Sequence, residues 1–178
     1  MLFSFNNKNS YFLLLFCFLI IPDFTFGQSP VSENATIYLV RHAEKEAGQD
    51  PGLSAAGKLR SGALYRELKN SSLKKIFVTQ YRRTRLTADS LRLLAGIDTI
   101  HYKADETGDG LMEKLKDING SYLIIGHSNT IPAIISRLGY KENQEMDEEY
   151  DTLIILEIKK GEVKLKKKNT ESPHNDFF

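Results

Sequence analysis

At 178 residues the chain falls within the roughly 100 to 200 that one domain takes, which leaves little room for a second. Its hydrophobic share of 41% and charged share of 26% are those of a globular protein and exclude disorder throughout. A formal net charge of +1 lacks the clustered excess of Lys and Arg that nucleic acid demands, so a small substrate is favoured over a nucleic-acid partner.

The first segment reads as a targeting signal. Met1–Ser10 carries Lys8 and no acid, Tyr11–Ile21 is an almost unbroken apolar run, and Pro22–Gly27 ends on small residues at Thr25 and Gly27. Together these have the form of n-region, h-region and cleavage site. The apolar run spans about eleven residues, short of the roughly 20 that an α-helix needs to cross a bilayer core. Residues 1–27 are therefore expected to be a cleaved signal peptide, with an uncleaved anchor as the alternative. Residues 28–178 form the expected domain, exported to a periplasm or secreted, with no stable membrane insertion. Cys17, the one cysteine, lies inside the apolar run, so the mature chain has no disulfide, thiolate metal site or cysteine nucleophile.

After a polar lead-in at Gln28–Asn34, the β-branched and aromatic run Thr36–Val40 predicts a buried strand ending at Arg41-His42. Glu44–Gly52 is a polar loop, and Ser54 is placed to cap a helix reaching Leu68, with Leu59, Ala63, Leu64 and Leu68 at helical spacing. Lys75–Thr79 predicts a second strand and Tyr81–Leu94 a second helix closed by Gly96, with Arg82, Arg83 and Arg85 at the junction. Ile97–Lys103 reads as a third strand, Asp105–Gly110 as a loop, and Leu111–Ile118 as a helix ended by Gly120. The continuously apolar Tyr122–Ile125 predicts a strand buried on both faces and ending at Gly126-His127. Asn129 or Thr130 caps the next helix, with Pro132 in its first turn and Gly139 as its stop. Asp151–Ile158 and Glu162–Lys168 flank Lys160-Gly161 as a hairpin, whose lysines from Lys159 to Lys168 read as blunting an edge strand in preference to binding anionic lipid. This alternation implies an α/β fold, a three-layer α/β/α sandwich with a mostly parallel central sheet and a C-terminal antiparallel hairpin.

His42 and His127 occupy equivalent places, each directly after an apolar strand. Ligands gather at the carboxyl ends of parallel strands, so both imidazoles can converge on one pocket. Arg41 and Arg82 or Arg83 hold comparable edge positions. Guanidinium groups stay charged and bind phosphate oxygens in bidentate fashion. A neutral imidazole aimed at phosphorus is a good nucleophile, and neighbouring cations offset the charge that builds on the equatorial oxygens. Taken singly, a histidine is more often structural or superficial, and His101 and His174 stay in that class. A zinc site calls for a third close ligand or a spacing such as His-Glu-x-x-His, and a P-loop for a Gly-rich run ending in Gly-Lys-Ser or Gly-Lys-Thr. Neither is present, so no metal and no cofactor is expected.

Four motifs follow in order: Arg41-His42-Ala43-Glu44-Lys45, Asp50-Pro51-x-Leu53-Ser54-x-x-Gly57, Thr79-x-x-x-Arg83-Thr84, and Gly126-His127-Ser128-Asn129-Thr130. In order and rough spacing the chain resembles the histidine phosphatase (phosphoglycerate-mutase-like) superfamily over essentially all of residues 28–178. Tyr150-Asp151-x-Leu153 resembles the start of the final strand in small exported members. The resemblance implies that His42 becomes phosphohistidine and that Arg41, Arg83 and His127 bind the transferring phosphoryl group. It selects Arg83 over Arg82, because the pattern runs from Thr79 through three residues to Arg. Gln80 stands where many members have Pro and Ala43 where many have Gly, departures that bear on substrate shape more than on the reaction. The general acid in such proteins is a carboxylate of variable position. Glu44, Asp105, Glu106 and Asp109 are the candidates here, and Glu106 is the choice. Ser128 departs from the branch that places Asp directly after the second histidine.

The implied activity is metal-independent hydrolysis of phosphate monoesters, acting on a small phosphorylated substrate. Phosphoglycerate-mutase-like transfer is the first alternative; it calls for extra segments over the pocket, and this chain spends its residues on a minimal core. A non-catalytic module that binds phosphorylated ligands is the second, and two intact histidines weigh against it. Export argues against cytoplasmic phosphohistidine proteins as substrates. No oligomeric state follows from the sequence.

Overall fold

The structure, a computed structural model, describes residues 31–115, 118–142 and 149–170. The expected signal segment and His174 lie outside them. The described elements are β1 (Val31–Arg41), α1 (Ala55–Leu68), β2 (Leu73–Thr79), α2 (Arg82–Leu94), β3 (Thr99–Tyr102), α3 (Asp109–Met112), β4 (Ile118–Gly126), α4 (Ile131–Arg137), β5 (Thr152–Lys159) and β6 (Glu162–Asn169). One sheet runs in the order β3-β2-β4-β1-β5-β6. The β1–β4, β2–β4 and β2–β3 pairs are parallel, and β1–β5 and β5–β6 are antiparallel. This is the predicted mostly parallel sheet with its closing hairpin.

Successive residues of a strand point to opposite faces, so a strand covered on both sides must be apolar throughout. On one face Leu64 and Leu68 of α1 and Ala88 and Leu91 of α2 pack on Val40, Val78, Leu123 and Ile125. On the other, Leu111 and Met112 of α3 and Ile131, Ile134 and Ile135 of α4 pack on Ile37, Leu39, Phe77 and Ile124. Full burial of each large aliphatic side chain contributes about 1.5–3 kcal/mol, which is what holds the three layers together.

Local signals act as the sequence predicts at two ends. Ser54 accepts a hydrogen bond from Gly57 N–H at 3.2 Å and so caps α1. Lys160 and Gly161, with φ of 50° and 82°, turn β5 into β6. β6 is one of the two edge strands, and Lys166 and Lys168 pair with Glu157 and Glu67. No helix among the described residues is long and apolar enough to cross a membrane.

One predicted helix is wrong. Leu111–Ile118 is not helical throughout: α3 is a single turn, Asp109–Met112, beginning inside the predicted Asp105–Gly110 loop. Leu111, Met112 and Leu115 are all buried, so one helical turn and the turn after it meet the apolar spacing that suggested a longer helix. Gly120 ends no helix, since β4 begins at Ile118 and Gly120, at φ 112°, lies within it. β1 also starts earlier than predicted, and β3 is shorter.

The register sets the height of the strand ends. Arg41 is paired with Gly126 across β1 and β4, and Val78 with Ile125 across β2 and β4. His42, Thr79 and His127 therefore emerge side by side at the carboxyl edge of the sheet.

Candidate active site

His42 N–H donates to Gly126 O at 3.0 Å, extending the β1–β4 ladder past the last strand residues. The two imidazoles consequently meet with ring centroids 5.2 Å apart and planes at 62°. His42 is 4% exposed and His127 7%. They border a cleft of ≈ 380 Å³ whose walls include Tyr81 and Arg83 after β2, Asp105 and Glu106 after β3, and Ser128 and Asn129 after β4.

The His42 tautomer follows from its partner. Nδ1 lies 2.8 Å from Ala43 O, and a carbonyl only accepts, so Nδ1 carries the hydrogen and Nε2 the lone pair. Ala43 N–H donates to Thr87 Oγ1 at 2.9 Å, and Thr87 donates to Arg83 O at 2.7 Å, which fastens this loop to α2. Burial lowers the His42 pKa to about 4; its bond to Ala43 pulls the other way, while Arg83, Arg41 and Lys45 push further down. Burial, then the charges of Arg83, His42 and Arg41, lowers His127 to about 4 as well. Both rings are neutral at neutral pH.

Arg83 sits in the first turn of α2, with its guanidinium 4.2 Å over the Tyr81 ring. Its NH2 lies 3.4 Å from His127 Nδ1 and its NH1 3.8 Å from Asp50 Oδ1. Arg83 Nε is buried with no hydrogen-bond partner among the described residues. Arg82, its neighbour, is exposed and outside the cleft; among the described residues only its backbone N–H is engaged, donating to Asp50 Oδ1 at 3.1 Å and so capping α2. Arg41 is brought near the histidines but does not line the cleft. Its guanidinium lies 4.1 Å over the Tyr150 ring, donates to Tyr150 Oη at 3.2 Å, and borders a small recess with Arg60 and Thr87.

The four candidate acids separate by what they hold. Glu44 accepts from Arg60 at 2.7–3.0 Å; burial raises its pKa, and the Arg60 bonds outweigh that and hold it below the usual range. Asp105 accepts from Thr107 Oγ1 at 2.7 Å, Thr107 N–H and Asp109 N–H at 3.0 Å, and Gly110 N–H at 2.8 Å. The Thr107 bond first, opposed by slight burial and aided by those backbone groups, lowers its pKa to about 2. Asp109 is paired with Arg137 at 2.7 Å. Glu106 lines the cleft and makes no hydrogen bond or ion pair among the described residues.

Several neighbours escaped the sequence reading. Tyr81 meets His127 edge-on at 5.3 Å and 89°, and Tyr150 flanks His42 at 6.0 Å. Neither contact with a histidine is marked locally, since Tyr81 and His127, and Tyr150 and His42, lie far apart along the chain. Thr79, known from its motif spacing alone, places Oγ1 3.1 Å from His127 Nε2. Gln80, expected to shape the substrate, accepts from Ala104 N–H at 2.9 Å and so anchors the segment bearing Asp105 and Glu106. His101 is exposed on β3. Among the described residues no three His, Cys, Asp or Glu side chains are grouped to hold a metal ion.

A neutral imidazole lone pair beside a guanidinium is suited to attack a centre carrying anionic oxygens. Comparison with known proteins leads the same way. The family profile described as the histidine phosphatase superfamily (branch 1) matches residues 37–113. Among solved structures, the protein histidine phosphatase SixA complexed with tungstate is 14% identical, with a TM-score of 0.59 over 76% of this chain and 97% of that one. A protein from Nakamurella multipartitia, provisionally assigned as the phosphohistidine phosphatase SixA, is 17% identical, with a TM-score of 0.57 over 79% and 98%. The mycobacterial glucosyl-3-phosphoglycerate phosphatase is 12% identical, with a TM-score of 0.57 over 76% and 98%. No curated protein matches the chain by sequence. At such identities the structural likeness establishes the fold, and the profile spans the stretch that carries His42 and Arg83. The chain is thus similar to the histidine phosphatase superfamily, through the profile match over residues 37–113 and through the shared fold.

Proposed function

We propose that the protein is a phosphatase that hydrolyses phosphate monoesters through a phosphohistidine on His42, without a metal ion. One observation carries the reading: His42 Nδ1 is tied to Ala43 O, so a neutral Nε2 lone pair is left beside Arg83 and His127. Desolvation keeps that lone pair available at neutral pH.

In this scheme Nε2 attacks phosphorus in line with the ester oxygen, the N–P bond forming as the P–O bond breaks. Arg83 and His127 take equatorial oxygens, and Arg41 adds positive charge next to the nucleophile. Glu106 in its acid form protonates the departing oxygen; its carboxylate then takes a proton from the water that attacks phosphohistidine, and inorganic phosphate is released. Glu106 is assigned because Glu44, Asp105 and Asp109 are each committed to other partners.

A small phosphorylated molecule is the proposed substrate, since the cleft of ≈ 380 Å³ falls within the roughly 300–1,000 Å³ of small-ligand sites. Tungstate, a phosphate analogue, bound to SixA on the same fold supports a tetrahedral oxyanion as the ligand. The pattern of Met1–Gly27 supports action outside the cytoplasm, in a periplasm or beyond the cell.

Phosphate release from a panel of monoesters in EDTA, run beside His42→Ala, tests the proposal. Turnover is expected to persist in EDTA and to vanish in the variant. Near-normal turnover by His42→Ala removes the nucleophile, and strong inhibition by EDTA removes metal independence.

A further inference from the structure

Behind His127 runs a line of buried hydroxyls that the scheme above does not use. Thr79 and Thr84 are both 0% exposed. The Thr84 hydroxyl lies 2.9 Å from Tyr81 O and 3.3 Å from Thr79 O, and carbonyls only accept, so its hydrogen is directed there. Thr84 Oγ1 must then receive, which it does from Thr79 N–H at 3.1 Å and from the Thr79 hydroxyl at 3.0 Å. With its own hydrogen turned to Thr84, Thr79 Oγ1 can only accept from His127 Nε2 at 3.1 Å. Nε2 therefore carries the ring hydrogen and Nδ1 the lone pair. The other end of the ring agrees, because Nδ1 lies 3.4 Å from Arg83 NH2, a group that can only donate.

We propose that Thr79, backed by Thr84, is a positioning residue that fixes His127 as its Nε2–H tautomer, so that each phosphoryl group bound in the cleft places one proton on Nδ1. The inference rests on the reading of His127 as a phosphoryl ligand. A lone pair cannot donate to an anionic oxygen, so Nδ1 serves such an oxygen only after gaining a proton. When a monoester binds as the monoanion, its P–O–H hydrogen passes to Nδ1, leaving an imidazolium beside a dianion. When it binds as the dianion, the proton comes from solvent. The imidazolium then donates to Thr79 at one nitrogen and to phosphate at the other.

The charged and titratable groups around His127 set the timing. Arg83 and Tyr81 face it from the start of α2, His42 and Arg41 from the end of β1, and Asp105 and Glu106 share its cleft from the segment after β3. Asp50 lies 3.8 Å from Arg83. The two guanidinium groups oppose a further positive charge until an anion arrives, so the proton accompanies the ligand.

The test is the nitrogen-15 spectrum of the His127 ring in the full chain, free and with inorganic phosphate, beside calorimetric titration of phosphate in two buffers of different ionisation enthalpy. Free protein is expected to show protonated Nε2 and bare Nδ1, and phosphate to convert Nδ1 to the protonated form. At mildly alkaline pH, calorimetry is expected to read uptake of about one proton per phosphate bound. Thr79→Val is expected to mix the tautomers and weaken phosphate roughly tenfold, and Thr79→Ser to restore both. Should Thr79→Val not fold, the wild-type spectra and Thr79→Ser still decide. A Nδ1–H tautomer in free protein, or phosphate bound without proton uptake, overturns the proposal alone. A wild-type chain that binds no phosphate overturns the phosphoryl-ligand reading with it.

Discussion

Arg60 holds both carboxylate oxygens of Glu44, its Nε at 2.9 and 3.0 Å and its NH2 at 2.7 Å, two residues beyond His42. The pair fastens α1 to the loop that follows His42. Gly57 permits the approach, because a Cβ there would stand 2.1 Å from Glu44 O. A carboxylate held in this way stays ionised and is unfit to give up a proton.

Glu44→Gln is accordingly expected to lower stability by about 1–3 kcal/mol, since Arg60 is left largely buried against a neutral partner. The folded pKa of Glu44 is below its unfolded value. Its contribution is therefore complete above the ordinary carboxylate pKa and disappears as pH falls through the folded one. Denaturant midpoints of wild type and variant should differ most near neutrality and converge in acid. An equal gap at every pH would contradict this role.

The two histidines set a second pH dependence. Each has a folded pKa of about 4 against an ordinary 6.5, so the unfolded chain binds more protons between those values. Stability is full above 6.5 and is lost as pH falls from there through 4. His42 should remain neutral well below 6.5 in free protein, which ring-proton titration by NMR reads directly. The acid limb of kcat/KM that reports this group should lie near 4. A His42 titration near 6.5 would show that the ring is more hydrated than its burial implies.

How much of this was legible in the sequence depended on whether a signal was local. Val40-Arg41-His42 and Ile125-Gly126-His127 each join an apolar strand to a polar turn, and parallel register makes such junctions neighbours. The Ser54 cap and the Lys160-Gly161 turn are likewise written within four residues. Leu111–Ile118 misled because buried Leu111, Met112 and Leu115 repeat at helical spacing while the chain needs only one turn before β4. Tyr150 was legible as the entry to the final strand, but not as the partner of Arg41, which is 109 positions away and is brought close by the β1–β5 pairing. Glu106 was reached from the sequence by choice among four acids. In the structure Glu44, Asp105 and Asp109 are held by other partners.

Arg83 and Arg82 are adjacent in sequence and opposite in consequence. Arg83 lines the cleft against Tyr81 and His127, whereas Arg82 gives its backbone N–H to Asp50 and its side chain is exposed. Arg83→Ala is expected to lower kcat/KM by roughly 10²–10³, the scale of losing one donor to transition-state charge, and Arg82→Ala to change it only slightly. Arg83→Lys should rescue poorly, because an ammonium cannot reproduce a planar fork stacked on an aromatic ring. Steady-state kinetics on one monoester compares all three. A larger loss in Arg82→Ala would mean that the register of α2 is misplaced.

The acid assignment is tested by varying the leaving group. If Glu106 protonates the ester oxygen, Glu106→Gln should reduce turnover of alkyl phosphates by about 10²–10⁴, because an alkoxide leaves poorly without a proton. Aryl phosphates with acidic phenols expel a stable anion, so their first step should lose far less. Glu44→Gln and Asp109→Asn act on structure remote from the leaving oxygen and should affect both ester classes alike. Asp105→Asn keeps one accepting oxygen for the turn through Thr107 to Gly110, so any loss there should follow loop geometry and not leaving-group acidity. A leaving-group dependence that appears in Asp105→Asn and not in Glu106→Gln would transfer the role to Asp105. The neighbouring carboxylate would then have to work with a pKa near 2, which leaves almost no acid form at neutral pH and would require the bound ester to raise it.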